Sequence, residues 1–143
     1  MVAPLRVGIA GLGTVGAEVV RIIEEQSRFL SARCGRGVRV VAVTARSKVK
    51  KRAVNLRGIE WARSPLALAG DPGIDCFVEL MGGSGDPALS AIEAALKSGK
   101  SVVTANKALI AKHGLRLARA AEKHGGALNF EAAVGAAIPV IKT

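Results

Sequence analysis

Aromatic side chains are scarce, with three Phe, one Trp and no Tyr in 143 residues. Single-stranded nucleic acid is held by interleaved aromatic platforms, and the sequence has no such set. The 21 Lys and Arg against 11 Asp and Glu, a net charge of +10, are therefore read as attraction for a small anionic ligand, with no nucleic-acid partner expected. Cysteine is limited to Cys34 and Cys76, far apart and without CxxC or metal-ligand spacing, which predicts two reduced thiols, Cys76 serving as a small hydrophobe within a strand. Of the two histidines, His113 and His124 both lie beside glycines where helices are expected to end, and neither has a carboxylate or metal-ligand neighbour at useful spacing. No apolar run approaches the ~18 residues that suggest a membrane span, and residues 1–30 lack the charged, then long apolar, then small-residue pattern of a secretory leader. A cytoplasmic protein with no membrane partner is expected. The sequence also lacks GxSxG, HExxH and the lysine-containing phosphate loop of nucleoside triphosphatases, which removes three common hydrolytic chemistries.

Glycine and aliphatic residues are abundant. Half of the residues are hydrophobic, enough for one compact domain. An apolar run at residues 5–10 leads into Gly11-Leu12-Gly13-Thr14-Val15-Gly16 and then an amphipathic stretch. The order strand, glycine loop, helix is the context in which such glycines bind a dinucleotide. Gly11 makes the tight turn, Gly13 lets a pyrophosphate approach the backbone, and Gly16 lets the helix pack onto the strand. The cofactor contacts expected here are Gly11, Leu12, Gly13, Thr14, Val15 and Gly16.

The rest of the chain alternates strands and helices. A strand at 7–10 is followed by a helix from Thr14, with Val15, Val19, Ile22 and Ile23 on its inner face and Glu18, Arg21, Glu24 and Glu25 outside. A loop is expected at 26–37, a second strand at 38–44, and either a short strand or loop at 59–62. Ser64-Pro65 reads as an N-cap and first helical residue. A third strand is predicted at 74–80, a helix opened by Asp86-Pro87 and closed near Gly99, and a fourth strand at 100–104. A helical region from Asn106-Lys107 is expected to break at His113-Gly114, with Leu115, Leu117, Ala118 and Ala121 on its resumed face. A fifth strand is placed at 128–133, followed by a loop and a helix started by Pro139. This alternation predicts an α/β fold with a doubly wound parallel sheet and right-handed crossovers.

Ligands of such sheets sit at the carboxyl ends of the strands. The loops after the strands, 11–16, 44–48, 81–83, 105–107 and 131 onward, are therefore expected to line one cleft. After the second strand there is no acidic residue to accept from a ribose 2′-hydroxyl. Arg46 and Lys48 suit a 2′-phosphate instead, which points to NADP over NAD; Lys50 and the basic residues beyond it are read as a solvated face. Lys107 would place an ammonium at the cleft, able to polarise a carbonyl or bind a carboxylate, or would be an ordinary exposed lysine. Glu131, at the end of the fifth strand, would bind a hard cation or cap the following helix. Asp75 and Glu79 are read as structural or exposed, and Trp61 as packing.

The segments Gly11-Leu12-Gly13-Thr14-Val15-Gly16, Glu79-Leu80-Met81-Gly82-Gly83, Val103-Thr104-Ala105-Asn106-Lys107-Ala108-Leu109-Ile110-Ala111 and Phe130-Glu131-Ala132-Ala133-Val134 through Ile138-Pro139 together resemble homoserine dehydrogenase. The Asn106-Lys107 segment is the most specific of them, since many dinucleotide-binding domains share only the glycine fingerprint. The resemblance runs through nearly the whole chain. It implies a Rossmann-type NAD(P)-binding domain spanning residues 1–143, with a substrate-binding and dimerisation domain expected after 143. It also implies NADP-dependent interconversion of L-homoserine and L-aspartate 4-semialdehyde by the full enzyme, a homodimer, the fragment alone binding cofactor without turnover. Gly82, Thr104, Asn106 and Lys107 are implied to contact cofactor, and Lys107 to stand at the reacting centre. Glu131 with the main-chain carbonyls of Val134, Ala136 and Ile138 is implied to hold a sodium ion. Ala137 departs from the family's usual glycine. A dehydrogenase of another amino acid or semialdehyde and a non-catalytic nucleotide-binding module are the alternatives.

Overall fold

The computed structural model of the chain describes residues 2–135. Six strands, β1 (Leu5–Ala10), β2 (Val38–Thr44), β3 (Glu60–Trp61), β4 (Cys76–Glu79), β5 (Ser101–Thr104) and β6 (Leu128–Asn129), form one sheet in the order β3-β2-β1-β4-β5-β6. Every pairing is parallel, so the doubly wound sheet expected from the alternation is the one found. The chain leaves β1 toward β2 and β3 and then returns to β4 on β1's other side. The loops after β1 and β4 therefore diverge, opening a crevice at the carboxyl ends of these strands.

Strand periodicity explains the core. Successive side chains point to opposite faces, so Val7, Ile9, Val43, Cys76 and Val78 join Leu12 and Val20 in one cluster. Ala10, Ala42, Phe77 and Val102 join Leu68, Ile92, Leu96, Leu109 and Leu117 in the other. Both faces are covered, which is why the strands read as nearly continuous apolar runs. Burial holds the Cys76 thiol at about 11, well above its ordinary value, so it packs as a hydrophobe and is unreactive.

The helices are α1 (Thr14–Glu25), α2 (Ser27–Cys34), α3 (Pro65–Gly70), α4 (Ala88–Lys97), α5 (Lys107–His124) and α6 (Glu131–Gly135). Several differ from expectation. Val15 is 58% exposed and the inner face of α1 is built on Gly16 and Val20, because close packing of Gly16 turns Val15 outward. Residues 26–37 are not a loop: α2 occupies most of them, with Gly35 in the left-handed conformation ending it. No residue of α2 is buried, so it carries none of the apolar periodicity that marks a helix in sequence. Ser64 caps α3 as expected, its hydroxyl accepting from Ala67 N–H at 3.1 Å.

The helix α5 runs unbroken through His113 and Gly114. An interior glycine costs about 1 kcal/mol, less than the burial of Leu109, Leu117 and Ala121 on either side of it contributes. Leu115 is 69% exposed rather than part of the inner face. His113 is thus mid-helix, its Nε2 3.1 Å from Ser84 O, whereas His124 does close the helix before left-handed Gly125. The last strand is only Leu128–Asn129, and Val134 and Gly135 belong to α6 rather than a loop. Among the described residues β6 pairs with β5 alone, and its last pairing is Asn129 with Val103. The helix expected from Pro139 lies outside the described residues.

At the opposite end of the sheet from the crevice, Asp75 ties β4 to β1. Its carboxylate accepts from Arg6 Nε at 3.1 Å, Arg6 Nη2 at 2.7 Å and Arg6 N–H at 2.9 Å, which brings its pKa down to about 2. A depressed carboxylate stabilises the fold above its unfolded pKa and stops doing so as pH falls through the folded one. The urea midpoint should therefore fall between about pH 4 and pH 2 more steeply in the wild type than in Asp75→Asn, the two converging at the acid end.

Candidate functional site

The turn after β1 is shaped by contacts that exclude any side chain. Gly11 has φ +102°, and a Cβ on it would lie 2.6 Å from Leu80 O; a Cβ on Gly16 would lie 1.9 Å from Gly11 O. Gly11 N–H donates to Thr44 O at 2.9 Å, and Leu80 N–H to Ala10 O at 2.8 Å, so the turn is fastened to the strands on both sides. Gly13 differs: nothing lies within 4 Å of its Cβ position. It is the N-cap of α1, which has no side-chain cap and no acidic residue in its first turn. Those first amides are left for a ligand, and together with the helix dipole they favour an anion.

Facing this turn are the ends of β4 and β5. A cleft of about 250 Å³ is lined by Val15, Leu80, Met81, Gly82, Ala105 and Asn106. The crevice thus brings together three of the five expected loops. Its wall is fastened by Glu79, which is structural, as one of its two readings expects, and fully buried. Glu79 Oε1 accepts from Met81 N–H at 2.7 Å and Gly82 N–H at 3.2 Å, while Oε2 accepts from the Thr104 hydroxyl at 2.6 Å. Thr104 Oγ1 in turn accepts from Asn106 N–H at 3.1 Å. Asn106 caps α5 through Leu109 N–H at 3.1 Å and donates Nδ2 to Gly83 O at 2.6 Å. One signal could have found Glu79: a carboxylate ending the apolar run Cys-Phe-Val-Glu of a two-sided strand is costly unless it is fully bonded.

The loop after β2 lies outside that lining. Arg46 and Lys48 are exposed, and Lys48 Nζ stands 5.7 Å from the Trp61 ring centroid. Trp61 packs against the cluster containing Val43, as expected. The residue that joins this loop to the glycine turn is Arg52, which is not the solvated side chain expected of the basic run. Its Nε donates to Leu12 O at 3.0 Å, Nη2 to Ser47 O at 2.6 Å and Nη1 to Lys50 O at 2.8 Å, with the guanidinium 5.5 Å from the Trp61 centroid. A charge run read as solvated contains one planar fork committed to backbone carbonyls.

Lys107 is the first residue of α5 and is exposed, next to Asn106 at the cleft. Glu131 opens α6 instead of ending a strand, a place where a carboxylate suits the helix dipole. Val134 is 50% exposed, while Ala136 and Ile138 lie outside the described residues. Among the described residues no group of three His, Cys, Asp or Glu side chains is placed to hold a metal ion, and no helix is long and apolar enough to cross a membrane.

Residues 11–131 match the family model described as homoserine dehydrogenase, NAD binding domain. The homoserine dehydrogenase of Mycobacterium tuberculosis is 44% identical over 139 residues, covering 97% of this chain and 31% of that protein. The crystal structure of the Thiobacillus denitrificans homoserine dehydrogenase superposes with a TM-score of 0.84 at 39% identity, covering 91% of this chain and 30% of that one. A hyperthermophilic archaeal homoserine dehydrogenase in complex with NADPH gives 0.72 at 28% identity, covering 91% and 44%. The chain therefore spans about a third of the length of the first two relatives.

Proposed function

The chain belongs to the homoserine dehydrogenase family, matching its NAD-binding domain, and from that premise we propose that it is the cofactor half of an NADP-dependent enzyme interconverting L-homoserine and L-aspartate 4-semialdehyde. The observation that carries this reading is the α1 N-terminus, without cap or acidic residue, behind a glycine turn too tight for any Cβ at Gly11 or Gly16. Such an arrangement suits a pyrophosphate. The first amides of α1 hold the pyrophosphate and Gly13 admits it to the backbone. Arg46 and Lys48, beyond β2, pair with the 2′-phosphate.

The cofactor, when bound, would give a hydride to the aldehyde carbon in one direction and take it from the alcohol carbon in the other. Thr104 and Asn106 shape the cleft wall, Gly82 leaves room beside it, and Lys107 at the start of α5 polarises the substrate carbonyl. On this proposal a substrate-binding and dimerisation domain follows residue 143, and the chain alone binds cofactor without turnover. The sodium ligands remain those implied by the resemblance, Glu131 with the carbonyls of Val134, Ala136 and Ile138.

Calorimetric titration tests the reading. NADPH should bind about tenfold or more tightly than NADH, since one charge-assisted phosphate contact is worth roughly 1.5–3 kcal/mol. Arg46→Ala should bring the two affinities together. Equal affinities in the wild type would remove the role given to Arg46, and binding of neither would remove the cofactor reading.

A further inference from the structure

The role of Glu79 goes beyond holding a turn together. Its two carboxylate oxygens take two backbone N–H groups from the turn after β4 and one hydroxyl from the end of β5, all with the side chain fully buried. In a planar trans peptide the N–H and C=O point in opposite directions. Turning the amides of Met81 and Gly82 inward therefore turns the carbonyls of Leu80 and Met81 away from the carboxylate. Leu80 O lies against Gly11, at 2.6 Å from its Cβ position, while Leu80, Met81 and Gly82 all line the cleft.

A dinucleotide laid across the switch point with its phosphorylated ribose at β2 puts its other nucleoside over β4 and β5. We propose that Glu79 is the positioning residue for the nicotinamide end of the cofactor: by bonding the amides of Met81 and Gly82 and the Thr104 hydroxyl, it sets a wall that offers the Met81 carbonyl as an acceptor to the carboxamide N–H groups. This proposal rests on the cofactor reading given above. Glutamine keeps the shape but replaces one acceptor with a donor, which must then face either the turn amides or Thr104 Oγ1. That oxygen already accepts from Asn106 N–H; accepting a second time fills its lone pairs and leaves the Thr104 O–H without its buried acceptor, so Glu79→Gln loses a hydrogen bond at the turn or at the end of β5.

Two ligands separate positioning from general support. NADPH spans the whole site, whereas 2′-phospho-ADP-ribose has the adenosine, 2′-phosphate and pyrophosphate but no nicotinamide. By calorimetry, E79Q should lose about tenfold or more in affinity for NADPH and less than about twofold for 2′-phospho-ADP-ribose, as expected when a buried hydrogen-bond partner is mismatched at one end of a site. Equal losses for both ligands, or no loss for either, would overturn the proposal while leaving the cofactor reading intact. A wild-type chain that binds neither ligand overturns both. Should E79Q fail to fold, Glu79→Asp, which keeps the charge but cannot reach Thr104 and both amides at once, carries the same test: the split supports the proposal and its absence overturns it.

Discussion

Gly16→Ala should abolish NADPH binding and destabilise the chain, whereas Gly13→Ala should weaken binding about a hundredfold with little loss of stability. A Cβ at position 16 would sit 1.9 Å from Gly11 O. The obstacle is backbone, so no rotamer change relieves it, and the glycine turn and the start of α1 must separate. Overpacking of this kind costs about 3 kcal/mol, which lowers the melting temperature by roughly 10 °C in a domain of this size. At position 13 a Cβ meets nothing within 4 Å, and Gly13 is the uncapped N-cap of α1. Alanine there should cost under about 1 kcal/mol of stability, yet the methyl group occupies the approach of the pyrophosphate and should weaken binding about a hundredfold, ~2.7 kcal/mol. Thermal melts and NADPH titrations of both variants check this. A Gly13→Ala chain that binds as the wild type does would move the pyrophosphate away from this turn.

Phe77→Ala should cause the largest loss of stability among single core substitutions on the sheet. Phe77 is fully buried in β4, which pairs with both β1 and β5, and it belongs to the cluster that includes Leu68, Ile92 and Leu96. Removing a ring from such a place costs about 3–5 kcal/mol, a large part of the roughly 7–20 kcal/mol total expected at 0.05–0.15 kcal/mol per residue. The lesion is in packing and leaves the glycine turn intact. NADPH at a hundred times its dissociation constant should therefore restore about 2.7 kcal/mol to Phe77→Ala and nothing to Gly16→Ala. Denaturant unfolding with and without NADPH distinguishes the two; an unresponsive Phe77→Ala chain would mean that the cleft depends on this ring.

Much of this architecture was legible before any coordinates. The strands β1, β2 and β4 are largely apolar runs, and the bounds 38–44 expected for β2 are those found. Ser64-Pro65 was read correctly as a helix start from cap chemistry. Failures have physical causes of their own. The helix α2 buries nothing, so it has no periodic signal, and the glycine inside α5 was given more weight as a breaker than about 1 kcal/mol warrants. β6 ends where its pairing with β5 does, after Asn129, which is a property of two strands together.

At the site, the glycine turn was legible because each of its glycines answers a requirement of the local backbone. The full burial of Glu79 and the clamp made by Arg52 are not legible there, for the opposite reason. Glu79 bonds Thr104 across 25 positions, and Arg52 bonds Leu12 across 40.

The sequence by itself determined the alternation of strands and helices, the glycine turn and the family, because turn geometry, strand period and motif are properties of neighbouring residues. Only the tertiary structure decided that a carboxylate at the end of β4 fastens the cleft wall and that one arginine of a basic run clamps the turn. A buried charge or a guanidinium fork takes its role from the groups that folding brings within 3 Å of it, and for both residues those groups include distant parts of the chain.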